Sequence, residues 1–159
     1  MPARFVIATL LAALAAPALA APPVTVVELF QSQGCSSCPP ANANVNALIA
    51  ARPDVLALSF AVTYWDRLGW KDGFASRANT QRQWDYAKGL HHDNVWTPQV
   101  VINGRSDLVG SNAAALTAAL KPLPAGAPAL ALDDGVLGIG RGTAPRGGAD
   151  VWLIRYDPR

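Results

Sequence analysis

The sequence is poor in sulfur, with one methionine and two cysteines among its 159 residues. The methionine is Met1, which we expect to leave with an N-terminal signal, so a copper site built from methionine thioethers is excluded. The sequence also lacks a second Cys pair or a Cys/His pair at metal-ligand spacing, which argues against a zinc site. One cysteine pair is therefore the main candidate for chemistry in this chain.

The chain also lacks an excess of one charge. It has 13 Lys and Arg against 11 Asp and Glu, a formal net charge of +2, without a basic run. Nucleic acid and acidic lipid surfaces are therefore not predicted as partners. The G-x-S-x-G motif of serine hydrolases is absent. The GIGRG at 138–142 lies in a predicted β region, whereas a dinucleotide site needs such glycines between a strand and a helix.

The N-terminus, MPARFVIATLLAALAAPALA, has the pattern of a secretory signal peptide over residues 1–20. Arg4 supplies a positive start, residues 5–16 are apolar, and Ala18-Leu19-Ala20 is a small-x-small cleavage signal. A membrane anchor is the alternative, but the apolar run is short and is interrupted by Pro17. We predict an exported protein, periplasmic or extracellular, in an oxidising compartment and without a membrane span after cleavage.

Hydrophobic patterns and turn residues predict an α/β domain over 21–121. The two prolines at 39–40 suit the first turn of a helix, Ser76 and Ser111 are predicted N-caps, and Asn103-Gly104 is a hairpin signal. In chain order, the patterns predict a strand over 25–30, a helix from the prolines to Ala51, a strand over 55–63, a loop over 64–74, a helix to about Leu90, strands over 98–102 and 107–109, and a helix ending near Leu120.

The remaining residues predict a linker over 122–128 and a partial β extension over 129–159. ALALDDGVLGIGRG and ADVWLIRYDPR have the composition of two or three further strands. The last of these ends abruptly, and unpaired edge strands are a liability. We therefore expect this β unit to be incomplete in the chain.

Cys35 and Cys38 form a C-x-x-C motif within ELFQSQGCSSCPP, between the first strand and its helix. Such a pair can be redox-active, half of a metal site or a structural clip. Backbone N–H groups and the helix dipole at this position favour a thiolate, which is the nucleophile in disulfide exchange. We assign Cys35, which comes first and is expected to be more exposed, as the nucleophile, and Cys38 as the resolving cysteine. Ser36 and Ser37 are candidates for hydrogen bonds to the thiolate.

A strand, a C-x-x-C, a helix and a later Thr97-Pro98 before a ββα unit together resemble the thioredoxin superfamily. The resemblance implies a thioredoxin-like βαβ-ββα sheet sandwich, in which Pro98 is cis and packs beside the disulfide. It also implies that Thr97 meets the backbone of a partner. An X-Pro bond is ordinarily trans, so the prediction of a cis bond depends on the resemblance.

Three segments extend this resemblance to a thioredoxin-like family of bacterial exported proteins, domain of unknown function 1223. They are VVELFQSQGCSSCPPAN, YWDRLGWKD and TPQVVINGRSDLVG. This family resemblance implies a fold and no established reaction. From the cysteine pair we predict a thiol–disulfide oxidoreductase that exchanges its C-x-x-C disulfide with protein thiols or disulfides of the cell envelope. Such a protein needs no organic cofactor, because electrons pass between cysteines. The oligomeric state is not indicated by the residues.

Glu28 and the aromatic residues of the 64–74 loop are further candidates. In thioredoxins a buried acid in the first strand assists proton transfer at the resolving cysteine, so Glu28 is a possible base for Cys38; the alternative is a glutamate at an edge or facing a loop. Tyr64, Trp65 and Trp70 are predicted to border the disulfide, because ligand sites lie beyond the carboxyl ends of sheet strands. An aromatic cluster that closes a small core is equally compatible with these residues.

Two other functions remain open from the sequence. The first is a non-enzymatic binding module of the envelope, in which the cysteines form a structural disulfide. The second is metal binding through the two thiolates, completed by His91 or His92.

Overall fold

The structure is a computed structural model and describes residues 24–121, 128–143 and 151–157. The predicted signal peptide and all of the predicted linker except Pro128 lie outside the described residues. Within the described ranges, none of the helices combines the length and the apolar character that a membrane crossing requires.

A four-stranded mixed sheet forms the centre of the fold, with strand order β2-β1-β3-β4. β1 and β2 are parallel, and β3 is antiparallel to both β1 and β4. The strands are β1 Thr25–Gln31, β2 Val55–Ala61, β3 Gln99–Ile102 and β4 Ser106–Val109. The helices are α1 Cys38–Ala51, α2 Arg77–Gly89 and α3 Ala113–Ala119, with a 3₁₀ helix over Thr63–Leu68. The prediction of a mixed α/β domain is confirmed.

Alternation along the central strand β1 separates two cores, because successive side chains of a strand point to opposite faces. Val27 and Leu29 face α1 and α3, where they join the larger apolar cluster with Val45 and Leu116. Glu28 and the other alternate positions face α2. Burying each large apolar side chain contributes roughly 1.5–3 kcal/mol. The sheet therefore has a substantial core of its own on the α1 side.

Helix caps follow the predictions in one case and differ in another. Ser76 caps α2, and its hydroxyl accepts the N–H of Asn79 at 3.0 Å. The predicted cap of α3 was Ser111, but Asn112 caps it instead. Its Oδ1 accepts the N–H of Ala115 at 2.9 Å. An N-cap side chain bonds to the N–H two or three residues later, so a shift of one residue changes the cap.

The hairpin predicted at Asn103-Gly104 is confirmed. Both residues have positive φ, 51° and 64°, which the tight turn requires and which Asn and Gly tolerate best. The Asn103 side chain also accepts the N–H of Val26 at 2.8 Å. The turn therefore ties β3 to the beginning of β1 as well as reversing the chain.

The end of β2 and the last predicted strand differ from the predictions, whereas the predicted extension does contain strands. β2 ends at Ala61, and the predicted loop begins as the 3₁₀ helix, which is stopped by Gly69 at φ 100°. A separate hairpin of β5 Leu130–Asp133 and β6 Val136–Ile139 forms in the predicted extension. The strand predicted near the C-terminus is wrong for 151–157, which is irregular. Apolar composition alone does not make a strand, because a strand needs a hydrogen-bonded neighbour.

Candidate functional site

The two cysteines form a disulfide at the junction of β1 and α1. Their Cα atoms are 5.4 Å apart, within the range that disulfides require. The N–H of Cys35 donates to the carbonyl of Ser32 at 3.1 Å, and that of Cys38 donates to the carbonyl of Cys35 at 3.2 Å. Successive tight turns therefore bring the two side chains together just as the helix begins.

Both cysteines are buried, with exposed fractions of 2% for Cys35 and 1% for Cys38. The prediction that Cys35 is the more exposed therefore does not hold, because exposure does not separate the two residues. The preceding Gly34 lies against the Trp65 side chain. A Cβ atom at position 34 would lie 3.2 Å from the Cβ of Trp65. A close approach of the aromatic residue to the cysteine segment thus accompanies the burial.

The surroundings of the sulfurs differ from a simple helix N-terminus. Ser37 precedes α1, but its Oγ lies 3.5 Å from the Cys35 Sγ rather than capping the helix. Because a disulfide has no S–H, the hydroxyl is the donor in this contact. Pro39 and Pro40 lack N–H groups, so the first turn of α1 offers few backbone donors to a thiolate. Ser36 is exposed beside this site.

The aromatic loop, residues 64–74, connects the cysteine segment to the Thr97-Pro98 segment. The Trp65 Nε1–H donates to Thr97 Oγ1 at 2.8 Å, and the Trp70 Nε1–H donates to Gln33 Oε1 at 2.9 Å. The Thr97–Pro98 peptide bond is cis, as the resemblance implied. The contacts agree with the prediction that the loop borders the disulfide. Its role in binding stays a prediction.

A buried carboxylate fixes the aromatic loop in place. Asp72 accepts the N–H of Gln33 at 2.8 Å and the N–H of Phe74 at 2.9 Å. One carboxylate therefore holds both the residue two before Cys35 and the end of the loop. The Asp-Gly at 72–73 is a turn signal, but it does not indicate the long-range partner, which lies 39 residues away in sequence.

A buried glutamine was missed by the sequence reasoning. The Gln83 Nε2–H₂ donates to the carbonyl of Trp96 at 2.7 Å and to Gln99 Oε1 at 2.8 Å. The Tyr64 hydroxyl donates to Gln83 Oε1 at 3.3 Å. Burial raises the pKa of Tyr64, and its hydrogen bonds with Thr97 and Gln83 oppose this only in part. α2 has few apolar residues, so a polar residue at its buried face is the signal that was available.

Glu28 is buried, but its carboxylate is engaged on the face of the sheet opposite α1. The Arg82 guanidinium donates to both of its oxygens, at 2.6 and 2.9 Å, and the Tyr86 hydroxyl donates to one of them. α1, which begins at Cys38, packs on the other face with Val27 and Leu29. The role of Glu28 as a base for Cys38 stays a prediction, and these contacts assign the carboxylate a structural partner.

The free energy of unfolding should fall in alkaline solution because of the Tyr86 hydroxyl. Burial raises its pKa above the ordinary value of about 10, and the Glu28 carboxylate raises it further. The folded state therefore keeps a proton that the unfolded chain loses, so this stabilisation is complete below about pH 10 and falls as the pH rises further. Urea unfolding from about pH 9 to about pH 11 should show a steeper loss for the wild type than for Tyr86→Phe. Equal slopes would contradict the assignment.

Among the residues proposed for a metal site, the two cysteines form a disulfide and His92 contacts an aspartate. His92 Nε2 lies 3.0 Å from Asp107 Oδ1, and the ring packs edge-on against Trp96. His91 adopts a positive φ of 61° just after α2. Across the described parts of the chain, no cluster of three or more His, Cys, Asp or Glu is arranged to hold a metal ion. The metal alternative has no geometric support there.

Two cavities lie away from the disulfide. One of about 370 Å³ is bordered by α1, β2 and Tyr156. The other, of about 220 Å³, is lined by Arg82, Asp85, Tyr86 and Trp152. The Trp152 ring stacks on the Arg82 guanidinium, with 5.2 Å between the ring centre and the Arg82 Cζ. Neither cavity contains a cysteine in its lining, so the disulfide is the candidate site by its chemistry rather than by concavity.

Comparison with known proteins adds a family and one solved structure. The family model described as "Protein of unknown function (DUF1223)" matches residues 26–159. An X-ray crystal structure of a protein from Agrobacterium tumefaciens is similar, with 44% sequence identity and a TM-score of 0.54. The alignment covers 58% of this chain and 41% of that one, so the chain spans less than half the length of that protein. No curated protein matches the sequence significantly.

Proposed function

We propose that this chain, which belongs to the DUF1223 family, is an exported thiol–disulfide oxidoreductase of thioredoxin-like fold. The observation that carries the proposal is the Cys35–Cys38 disulfide between β1 and α1. The Thr97-Pro98 segment is linked to this region through Trp65, which contacts both Gly34 and Thr97. Export is supported by the N-terminal signal pattern.

The exchange needs only the two cysteines and a partner dithiol. A partner thiolate attacks the Cys35 Sγ, the bond to Cys38 breaks, and its electron pair leaves with Cys38 as a thiolate. The second partner thiolate then attacks the partner sulfur of the mixed disulfide and releases the Cys35 thiolate. Two electrons pass from the partner to this chain, and the two thiol protons go to the released thiolates or to water. The reverse sequence reduces a partner disulfide.

A purely structural disulfide is a weaker explanation of the pair. The cysteines are three positions apart, and a disulfide that closes so short a loop constrains the unfolded chain little. The sheet already has an apolar core formed by β1, β3, α1 and α3. The fold therefore has other sources of stability, whereas exchange chemistry requires this cysteine pair.

The burial of both cysteines favours one alternative, a binding module of the cell envelope with a structural disulfide. Buried disulfides are protected from attack, because exchange requires access to a sulfur atom. In this alternative the aromatic loop would bind a partner without any redox step.

The reduction potential of the Cys35–Cys38 pair separates the two functions. The protein is equilibrated in glutathione or dithiothreitol buffers of increasing potential and then alkylated. Mass spectrometry gives the fractions of reduced and oxidised protein at each potential. We expect a value between about −120 and −270 mV, the range of exchange-active dithiols. A value below about −300 mV would mark a stable structural disulfide and favour the binding module. The same titration of urea-unfolded protein is the control for the contribution of the fold.

A further inference from the structure

Three large apolar side chains of the aromatic loop are exposed. The exposed fractions are 62% for Leu68, 63% for Trp70 and 76% for Phe74. The loop is fixed by the Asp72 hydrogen bonds to Gln33 and Phe74, so this exposure belongs to an anchored segment. Several large apolar side chains exposed within one short, anchored segment indicate an interaction site.

The same surface is basic, which the balanced sequence does not reveal. Arg67, Lys71 and Arg77 are exposed, and Asp72, the only acidic residue between them, is buried. The preceding acid, Asp66, accepts the N–H of Asp72 at 3.2 Å. The carboxylates of the loop therefore accept backbone N–H groups, from the loop itself and from Gln33, and the basic side chains are left on the outside. We call residues 67–77 the docking face.

The docking face adjoins the disulfide. Trp70 donates its indole N–H to Gln33 Oε1, and Gln33 is two residues before Cys35. A molecule that covers Trp70 is therefore placed beside the segment that carries the reactive sulfur. A partner bound to the docking face would therefore lie next to the disulfide that takes part in exchange.

We infer that the docking face binds an acidic polypeptide segment whose apolar side chains flank the reacting cysteine. This inference rests on the proposed function, since it names the partner of the same disulfide. Acidic side chains complement Arg67, Lys71 and Arg77, and apolar ones cover Leu68, Trp70 and Phe74. An anionic membrane would match the same charges, but a bilayer over Trp70 would also cover the disulfide segment. The position of the face therefore favours a polypeptide.

Two cysteine peptides test the inference. Both carry the same Phe and Leu beside the cysteine, and they differ only in flanking residues, which are Asp and Glu in one and Lys in the other. Mixed-disulfide formation with the oxidised protein is stopped at intervals by acid and alkylation, which block the released Cys38 thiol from reversing the reaction, and is followed by mass spectrometry. We expect the acidic peptide to react on the order of tenfold faster at low salt. The difference should shrink at high salt, because exposed charges are screened.

Variants of the docking face assign the effect to it. Lys71→Gln combined with Arg77→Gln should remove most of the preference for the acidic peptide. Phe74→Ser should slow both peptides, because it removes an apolar contact of the docking face. The matched control is Arg105→Gln, because Arg105 is an exposed base in the hairpin turn at the other end of β1. This control should behave as the wild type.

The outcomes distinguish the inference from the proposed function. Equal rates for the two peptides, with normal reduction by dithiothreitol, would overturn the inference and leave exchange activity intact. A disulfide that resists dithiothreitol and both peptides would overturn the proposed function together with the inference. Lys71-dependent binding to vesicles of phosphatidylcholine and phosphatidylglycerol, together with equal peptide rates, would overturn the inference of a polypeptide partner and indicate a membrane partner.

Discussion

Cys35→Ser should abolish oxidation of partner thiols, because exchange requires an attackable disulfide and the variant has none. Cys38→Ser should fail in turnover as well, but for a different reason. Its Cys35 thiol should form a mixed disulfide with oxidised glutathione that persists, since the resolving thiol is missing. Mass spectrometry after alkylation distinguishes the persistent adduct from unreacted protein.

Loss of folding does not explain such a result. In the chain-entropy model, a disulfide that closes so short a loop adds about 2 kcal/mol to the free energy of unfolding. Both variants should therefore stay folded, and circular dichroism would show this. Ser111→Ala is the control, because it changes an exposed serine outside the cysteine segment and should keep exchange activity. If Cys35→Ser instead formed the persistent adduct faster than Cys38→Ser, the two roles would be reversed.

Arg82→Ala should lower the free energy of unfolding by about 3–5 kcal/mol, the usual cost of removing one partner from a buried ion pair. The Glu28 carboxylate would remain buried with the Tyr86 hydroxyl as its remaining partner of the cluster. The guanidinium also lies over the rings of Phe60 and Tyr86, at 5.3 and 5.1 Å. Urea unfolding of the wild type and the variant measures the loss.

An exposed ion pair of the same chain provides the matched control. Arg52 and Asp54 form a bridge with side-chain exposures of 41% and 50%. Removing such a surface pair costs about 0–1 kcal/mol, so Arg52→Ala should have a small effect. Adding Glu28→Gln to Arg82→Ala should recover part of the lost stability, because the uncompensated charge is then gone. Equal losses for Arg82→Ala and Arg52→Ala would refute the buried pair.

The parts of the fold that depend on local patterns were predictable from the sequence. The apolar β1 and β2, the prolines that open α1, and the turn at Asn103-Gly104 each carry their signal within a few residues. The position of the cysteines between β1 and α1 followed from the same patterns. The cis bond at Pro98 was reached through the family resemblance, since X-Pro composition alone favours trans.

The contacts that define the candidate site were not predictable, because they join residues far apart in the chain. A glutamate in an apolar strand requires a cationic partner, but several arginines were available and nothing local selects Arg82. The Gln83 contact with the Trp96 carbonyl spans 13 positions, and the Asp72 contact with Gln33 spans 39. The exposure of each cysteine depends on the same long-range packing, which explains why that prediction failed.

The strand order has a consequence for the order of events during folding. Cys35 and Cys38 are three positions apart and can meet as soon as both have been synthesised. The central pairing of β1 with β3, in which Val27 opposes Ile102, must wait for residues synthesised much later, and such non-local pairings form slowly. A newly made chain therefore passes through a period in which its cysteines are accessible to any thiol or oxidant. The burial of both cysteines is complete only when the last strands of the sheet have paired.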